Sequence, residues 1–278
     1  MSSTGGIDYE VEYNNRARVP ENPELMAGWA SDAAAYRETH APRRIAYGPG
    51  PRHVIDVFAG QDDANAKAPL AVFIHGGYWQ ALDGSWFSHM ARGLNAHGVS
   101  VAVPTYDLCP QVSVADIIMQ MREAMRELAK LSDRLVVSGH SAGGHLAACM
   151  LATDWKAYDA SLPPNLVSCA YAISGLFELE PLVPTSINKA LRLDQATARA
   201  TSPLFWQPPT YGSLDAVVGE AESAEYHRQS RSIVEVWGNA GIATQYGAVP
   251  AANHFTAIAP LADPASSMTL RLKELAGC

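Results

Sequence analysis

Hydrophobic positions along the chain fall into two alternating patterns. Short apolar runs come first, at Val54-Ile55-Asp56-Val57-Phe58 and Leu70-Ala71-Val72-Phe73-Ile74. An unbroken apolar run of this length suits a strand buried on both faces. Similar runs at Val99 to Val103, Leu135-Val136-Val137, Leu166 to Ile173, Asp215-Ala216-Val217-Val218 and Ser232-Ile233-Val234-Glu235-Val236 predict further strands. Between them the spacing is helical. Val114, Ile117, Ile118, Met121, Met125 and Leu128 recur at intervals of three and four, with Ser113 placed as N-cap. Trp86, Met90 and Leu94 predict a helix that stops near Gly98, Ala142 to Ala152 predicts another, and Ala265 to Leu275 a closing one.

Strands that alternate with helices predict an α/β architecture: a mostly parallel central sheet with helices on both faces, joined by right-handed crossovers. Two segments depart from this rhythm. Residues 1–45 are polar and mixed, with one helix expected over Met26 to Thr39, between Pro23 and Pro42. They read as an N-terminal arm lying on the main domain. Residues 175–211 hold Pro181, Pro184, Pro203, Pro208 and Pro209 around a short helical piece near Thr185 to Leu193. They read as a small cap insertion over one end of the sheet. Residues 1–278 are expected to form a single domain.

Composition narrows the function classes. With 278 residues, 48% hydrophobic and 17% charged, the chain is globular and long enough to bury a sizeable core. A net charge of -8 argues against nucleic acid or an anionic membrane as the main partner. No apolar run reaches the roughly 18 residues a membrane helix needs, and Met1 to Glu10 lacks a signal-peptide pattern. Cys109, Cys149, Cys169 and Cys278 are scattered without CxxC spacing, as expected of reduced thiols in a cytoplasmic protein. No His/Cys cluster has metal-ligand spacing, so no metal or other cofactor is expected.

The chemistry concentrates in three places. Gly139-His140-Ser141-Ala142-Gly143 is a G-x-S-x-G motif directly after one predicted strand and directly before a helix. That context is a nucleophile elbow, which exposes the Ser141 hydroxyl at the carboxyl end of the sheet. Glycines two residues to either side avoid the collision such a tight turn imposes on side chains. The second place is His75-Gly76-Gly77-Tyr78-Trp79, after the strand ending at Ile74. Its backbone N–H groups can face a substrate oxyanion, so Gly76, Gly77, Tyr78 and Ala142 are the oxyanion-hole candidates. His75 itself is expected to tie the loop down. The third is His254, placed after the last predicted strand and before the closing helix, where this chain order requires the base. The acid should follow the strand Asp215 to Val218, where Glu220 and Glu222 stand; spacing alone does not separate them.

The run His75 to Gln80 resembles the HGGYW motif of the kynurenine formamidases, a branch of the α/β-hydrolases. The elbow from Gly139 to Gly144 is similar too, and Glu222-Ser223-Ala224-Glu225-Tyr226-His227-Arg228-Gln229-Ser230 resembles the family's D-S-P-E-F-x-x-Q-S segment, whose leading aspartate is the triad acid. The resemblance begins near Tyr13-Asn14-Asn15 and covers most of the chain. It implies an α/β-hydrolase fold with Ser141, His254 and Glu222 as the triad. It implies a small amide or ester substrate, foremost an N-formyl or N-acyl arylamine. The chain departs from the family pattern in having Glu222 for aspartate and Ala224 for proline.

An aryl leaving group needs an aromatic pocket. Tyr78, Trp79, Phe177 and Trp206 are the candidates to line it, with Trp86 and Phe205 nearby in sequence. A small-molecule carboxylesterase would use the same triad, and a non-catalytic binding protein could keep the same fold. The N-terminal arm could pack over its own cap or over a neighbouring subunit in a homodimer.

Overall fold

The computed structural model describes residues 6–60 and 69–277. Eight strands form one sheet: β1 (Arg43–Ala46), β2 (Val54–Phe58), β3 (Leu70–Ile74), β4 (Val101–Thr105), β5 (Leu135–His140), β6 (Val167–Ile173), β7 (Ser213–Gly219) and β8 (Ala243–Val249). Their order across the sheet is β1-β2-β4-β3-β5-β6-β7-β8. β2 runs antiparallel to β1 and β4, and every other neighbouring pair is parallel.

The chain leaves β3 for β4 on one side, then returns to place β5 on the other. The direction of winding therefore reverses between β3 and β5. Crevices at such a switch point, beyond the carboxyl ends of the strands, are where open α/β sheets bind ligands. Register aligns Ile74 at the end of β3 with Gly139 near the end of β5. The loop after β3 and the turn after β5 are thereby side by side.

Both faces of the sheet are covered. In β3, Leu70, Val72 and Ile74 point into one apolar cluster, and Ala71 and Phe73 into the other. The helix Val114–Leu128 supplies Ile117, Met121, Ala124, Met125 and Leu128 to the first. Its Ser113 makes a full capping box with Asp116. The closing helix Ser267–Ala276 packs on the opposite face through Met268, Leu272 and Leu275. Among the described residues no helix is long and apolar enough to cross a membrane.

Two differences from the sequence reading have clear causes. Ser232 to Val236 is not a strand but lies inside the helix Ala224–Asn239. Its buried positions, Glu225, Tyr226, Gln229, Ser230, Ile233 and Trp237, follow helical spacing, and Val236 faces outward. The apolar pairs within that stretch imitate a strand only over a short window. The strand that closes the sheet is β8, ATQYGAV, a half-exposed edge without an apolar run. β1 is also an exposed edge, held through Arg44, which forms two hydrogen bonds of 2.7 and 2.9 Å to the buried Asp56 of β2. Arg37, from the long helix Asn22–Thr39, reaches the same carboxylate at 2.8 Å and ties that helix to the sheet.

The assignment of faces on Val114–Leu128 makes a direct test. Met121 is fully buried and Met119 is exposed. Met121→Ala should cost about 2–5 kcal/mol, and Met119→Ala less than about 0.5 kcal/mol, in urea unfolding. Equal costs would mean the buried face is assigned wrongly.

Candidate active site

Ser141 stands between β5 and the helix Ala142–Leu151 with φ 56° and ψ -117°. A non-glycine residue at positive φ is strained by about 1–3 kcal/mol and persists only where its surroundings hold it. Here its N–H donates to Ile173 O at 2.8 Å. The neighbouring glycines are obligatory for space. A Cβ on Gly143 would lie 1.9 Å from Ile74 O, and one on Gly139 would lie 2.2 Å from Gly143 O. The backbone of the elbow is thus pressed against the end of β3. The helix behind Ser141 opens at Ala142, where first-turn N–H groups have no acceptor within the helix.

The loop after β3 lies against this turn. A Cβ on Gly76 would meet Ser141 Cβ at 3.1 Å. Gly77, Tyr78 and Trp79 have φ of 108°, 50° and 57°. This left-handed path turns the backbone back beside the serine. His75 holds the loop down: its ring stacks on Tyr106, with centroids 4.1 Å apart, and the Tyr106 hydroxyl donates to His75 O at 2.8 Å.

His254 follows β8 and its Nδ1 lies 2.6 Å from Glu222 Oε2. The second oxygen, Glu222 Oε1, accepts from Gly219 N at 2.7 Å and from Ser174 Oγ at 2.5 Å. A carboxylate so supplied with donors is fixed in place, and it directs the Nδ1 proton toward itself. That leaves Nε2 as the free acceptor of the neutral ring. The loop carrying His254 is anchored in turn by His140, whose Nε2 donates to His254 O at 2.9 Å. Burial keeps the His140 pKa well below its ordinary value, so this ring is neutral. Glu220, the other acid considered, turns away and accepts from Ala251 N at 2.9 Å.

Ser141, His254, Gly76, Gly77 and Tyr78 line one cavity of about 450 Å³. Among the described residues no hydrogen bond joins Ser141 to His254; such contacts often tighten only around substrate. The apolar walls are Met26, Trp29, Phe87 and Phe255. Trp29 lies 5.3 Å from Phe87 and 5.8 Å from Phe255 between ring centroids. The arm adds Tyr13, Asn14, Asn15 and Arg16, and the cap segment adds Ser186 and Ile187. Glu10 in the arm fastens it to the cap segment by accepting from Ser186 N and Oγ, both at 2.7 Å.

Three of the residues expected to contact substrate lie away from the cavity. Trp79 is fully buried beneath the loop, edge-on to His145 at 5.0 Å, because its positive φ turns it into the core. Phe177 is also fully buried, packed against Gly175. Trp206 lies over Arg122 and donates from its indole nitrogen to Ala200 O. None of the three lines the cavity; of the four residues, only Tyr78 does. The aromatic wall comes instead from Trp29, Phe87 and Phe255. Phe255 adjoins the predicted base, which is a signal in the sequence, and Phe87 adjoins Trp86. Trp29 gave none beyond sitting in a predicted helix.

A family model for the alpha/beta hydrolase fold matches residues 71–213. The kynurenine formamidase of Salmo salar is 30% identical over 243 residues, covering 84% of this chain and 81% of that protein. The chain belongs to the kynurenine formamidase-like branch of the alpha/beta hydrolases. The kynurenine formamidase of Danio rerio is 29% identical over 242 residues, with the same two coverages of 84% and 81%. A crystal structure of a candidate thioesterase from Silicibacter sp. TM1040 superposes with a TM-score of 0.85 at 34% identity, covering 96% of this chain and 100% of that one. As a member of this branch, the protein is a hydrolase of the amidase and esterase kind.

Buried neutral imidazoles make its stability depend on pH. Burial holds His75, His89 and His145 at pKa values of about 4, and His140 well down as well. Each folded pKa lies below the unfolded value near 6.5. The stability is therefore fully present above about pH 6.5 and is lost as pH falls toward the folded values. Between pH 7 and 5 most carboxylates remain ionised, so the histidines dominate. The unfolding free energy should fall over that interval by up to about 2 kcal/mol for each ring, and the urea midpoint should fall with it. A midpoint independent of pH there would contradict the neutral assignment.

Proposed function

We propose that the protein is a serine amidase that cleaves N-formyl or N-acyl arylamines, with N-formylkynurenine as the leading substrate. One observation carries this reading. The hydrogen-bonded Glu222–His254 pair and the strained Ser141 elbow open onto the same aromatic-walled cavity. The formamidase relatives supply the substrate class.

In this mechanism Ser141 Oγ attacks the carbonyl carbon while His254 Nε2 takes the hydroxyl proton. Glu222 stabilises the imidazolium and keeps its orientation. Backbone N–H groups of Gly76, Gly77, Tyr78 and Ala142 form the oxyanion hole for the tetrahedral intermediate. The imidazolium then protonates the leaving nitrogen, the C–N bond breaks, and the amine departs. Water, deprotonated by His254, attacks the acyl-serine and releases formate or another small acid. A formyl group needs almost no space beside the elbow, where Gly76 packs against Ser141. The aryl ring of the leaving amine would lie against the wall formed by Trp29, Phe87 and Phe255.

A small-molecule esterase is the second reading, supported by the relative described as a candidate thioesterase. Measured kcat/KM on N-formylkynurenine and on a matched aryl ester separates the two. The amidase reading expects efficient formamide turnover. Formamide turnover many orders below that of the ester would transfer the assignment to the esterase.

The acid has its own test. Glu222→Gln removes the charge facing His254 and should lower kcat about 10³–10⁴-fold. Glu220→Gln, whose carboxylate holds a loop N–H, should cost less than about tenfold. The reverse ranking would assign the role to Glu220.

A further inference from the structure

The N-terminal arm reaches the candidate site through a set of hydroxyl groups that the mechanism above does not use. Asn15 is buried, and its side-chain nitrogen donates to Tyr226 Oη at 2.8 Å and to Tyr78 Oη at 3.2 Å. The two phenol oxygens are 2.7 Å apart. Tyr78 also donates to Tyr13 O at 2.6 Å. Residues 15, 78 and 226 thus meet from the arm, the oxyanion loop and the helix Ala224–Asn239.

Counting protons fixes the direction of this network. Burial raises both phenol pKa values, so each oxygen carries one hydrogen. A carbonyl can only accept, which commits the Tyr78 proton to Tyr13 O. Tyr226 must then donate its own proton to Tyr78. Asn15 donates one hydrogen to each phenol. Tyr226 Oη thus accepts from Asn15 and donates to Tyr78. The Tyr226 ring also lies 4.6 Å from the His254 ring.

We propose that Asn15 is a positioning residue for the reaction: it bridges Tyr78 and Tyr226, and so holds the oxyanion loop in register with the His254 ring. Tyr78 sits at positive φ, a conformation that needs external restraint, and its hydroxyl supplies that restraint at the far end of the side chain. Tyr226, fixed by the same network, keeps its ring against that of His254. Among the described residues, Asn15 alone donates to both. The proposal rests on the serine-hydrolase reading of Ser141 and His254.

The test uses the full-length protein and its turnover of an aryl formamide or aryl ester. Asn15→Leu keeps the approximate size and removes both donors; Asn15→Asp, assayed near pH 8, does the same with an ionised group. Each should lower kcat about 10–100-fold and leave KM within about threefold, the pattern of an interaction used only around the transition state. Tyr226→Phe should cost a similar factor, and the double variant Asn15→Leu/Tyr226→Phe should be no slower than the worse single variant. Glu10→Gln loosens the arm from Ser186 without touching the phenols and should change kcat less than twofold. A folded Asn15 variant with wild-type kcat would overturn the proposal. So would losses that multiply in the double variant, or a Glu10→Gln defect as large as that of Asn15→Leu. A fluorophosphonate probe separates the underlying reading: wild-type protein that neither labels at Ser141 nor turns over either substrate would remove both.

Discussion

The contact on which the site depends is backbone against backbone. Where the winding of the sheet reverses, the turn after β5 presses on the end of β3 so closely that Gly143 leaves no room for a methyl group beside the Ile74 carbonyl. This approach sets the separation between the serine and the loop of backbone N–H groups. Neither could be placed by flexible side chains with comparable accuracy. The strain at Ser141 and the run of left-handed residues from Gly77 to Trp79 are tolerated because each is held by rigid strands behind it. Dense packing on both faces of the sheet supplies that rigidity.

The imidazole arrives by a different route. It is carried on a loop after the edge strand; the backbone of that loop at Ala252 and Asn253 packs tightly against Gly219, and hydrogen bonds then set the ring. Glu222 orients the ring, Ser174 and Gly219 orient Glu222, and His140 grips the carbonyl of His254 itself. His140 belongs to the elbow, so one short segment both presents the serine and anchors the loop of the histidine. Close backbone packing and hydrogen bonds thus act together at both the elbow and the histidine loop.

How much of this could be read in the sequence depended on range. Local necessities were legible: the N-cap at Ser113, the glycines of the elbow, and the apolar strands of the sheet interior. The edge strands were not, because β1 and β8 have no buried face continuous enough to impose a pattern. The false strand at Ser232 to Val236 arose from the same weakness, since β-branched residues in a helix look strand-like over a few positions. Glu220 and Glu222 differ only in which way a short loop turns them, and composition carries no information about that. The cavity wall was least legible. Trp29, Phe87 and Phe255 come from segments far apart in the chain, and they converge only after the long arm helix docks on the sheet.

The position of His254 beyond β8 has a consequence for heating. β8 is the last and least covered strand of its side, and fraying at a sheet margin needs far less energy than disrupting the interior. Fraying there withdraws the imidazole while β3 and β5 still hold the serine in place. Under the proposed mechanism, warm protein would therefore lose its catalytic competence while its bulk spectroscopic signal remained native, and it would regain that competence on cooling.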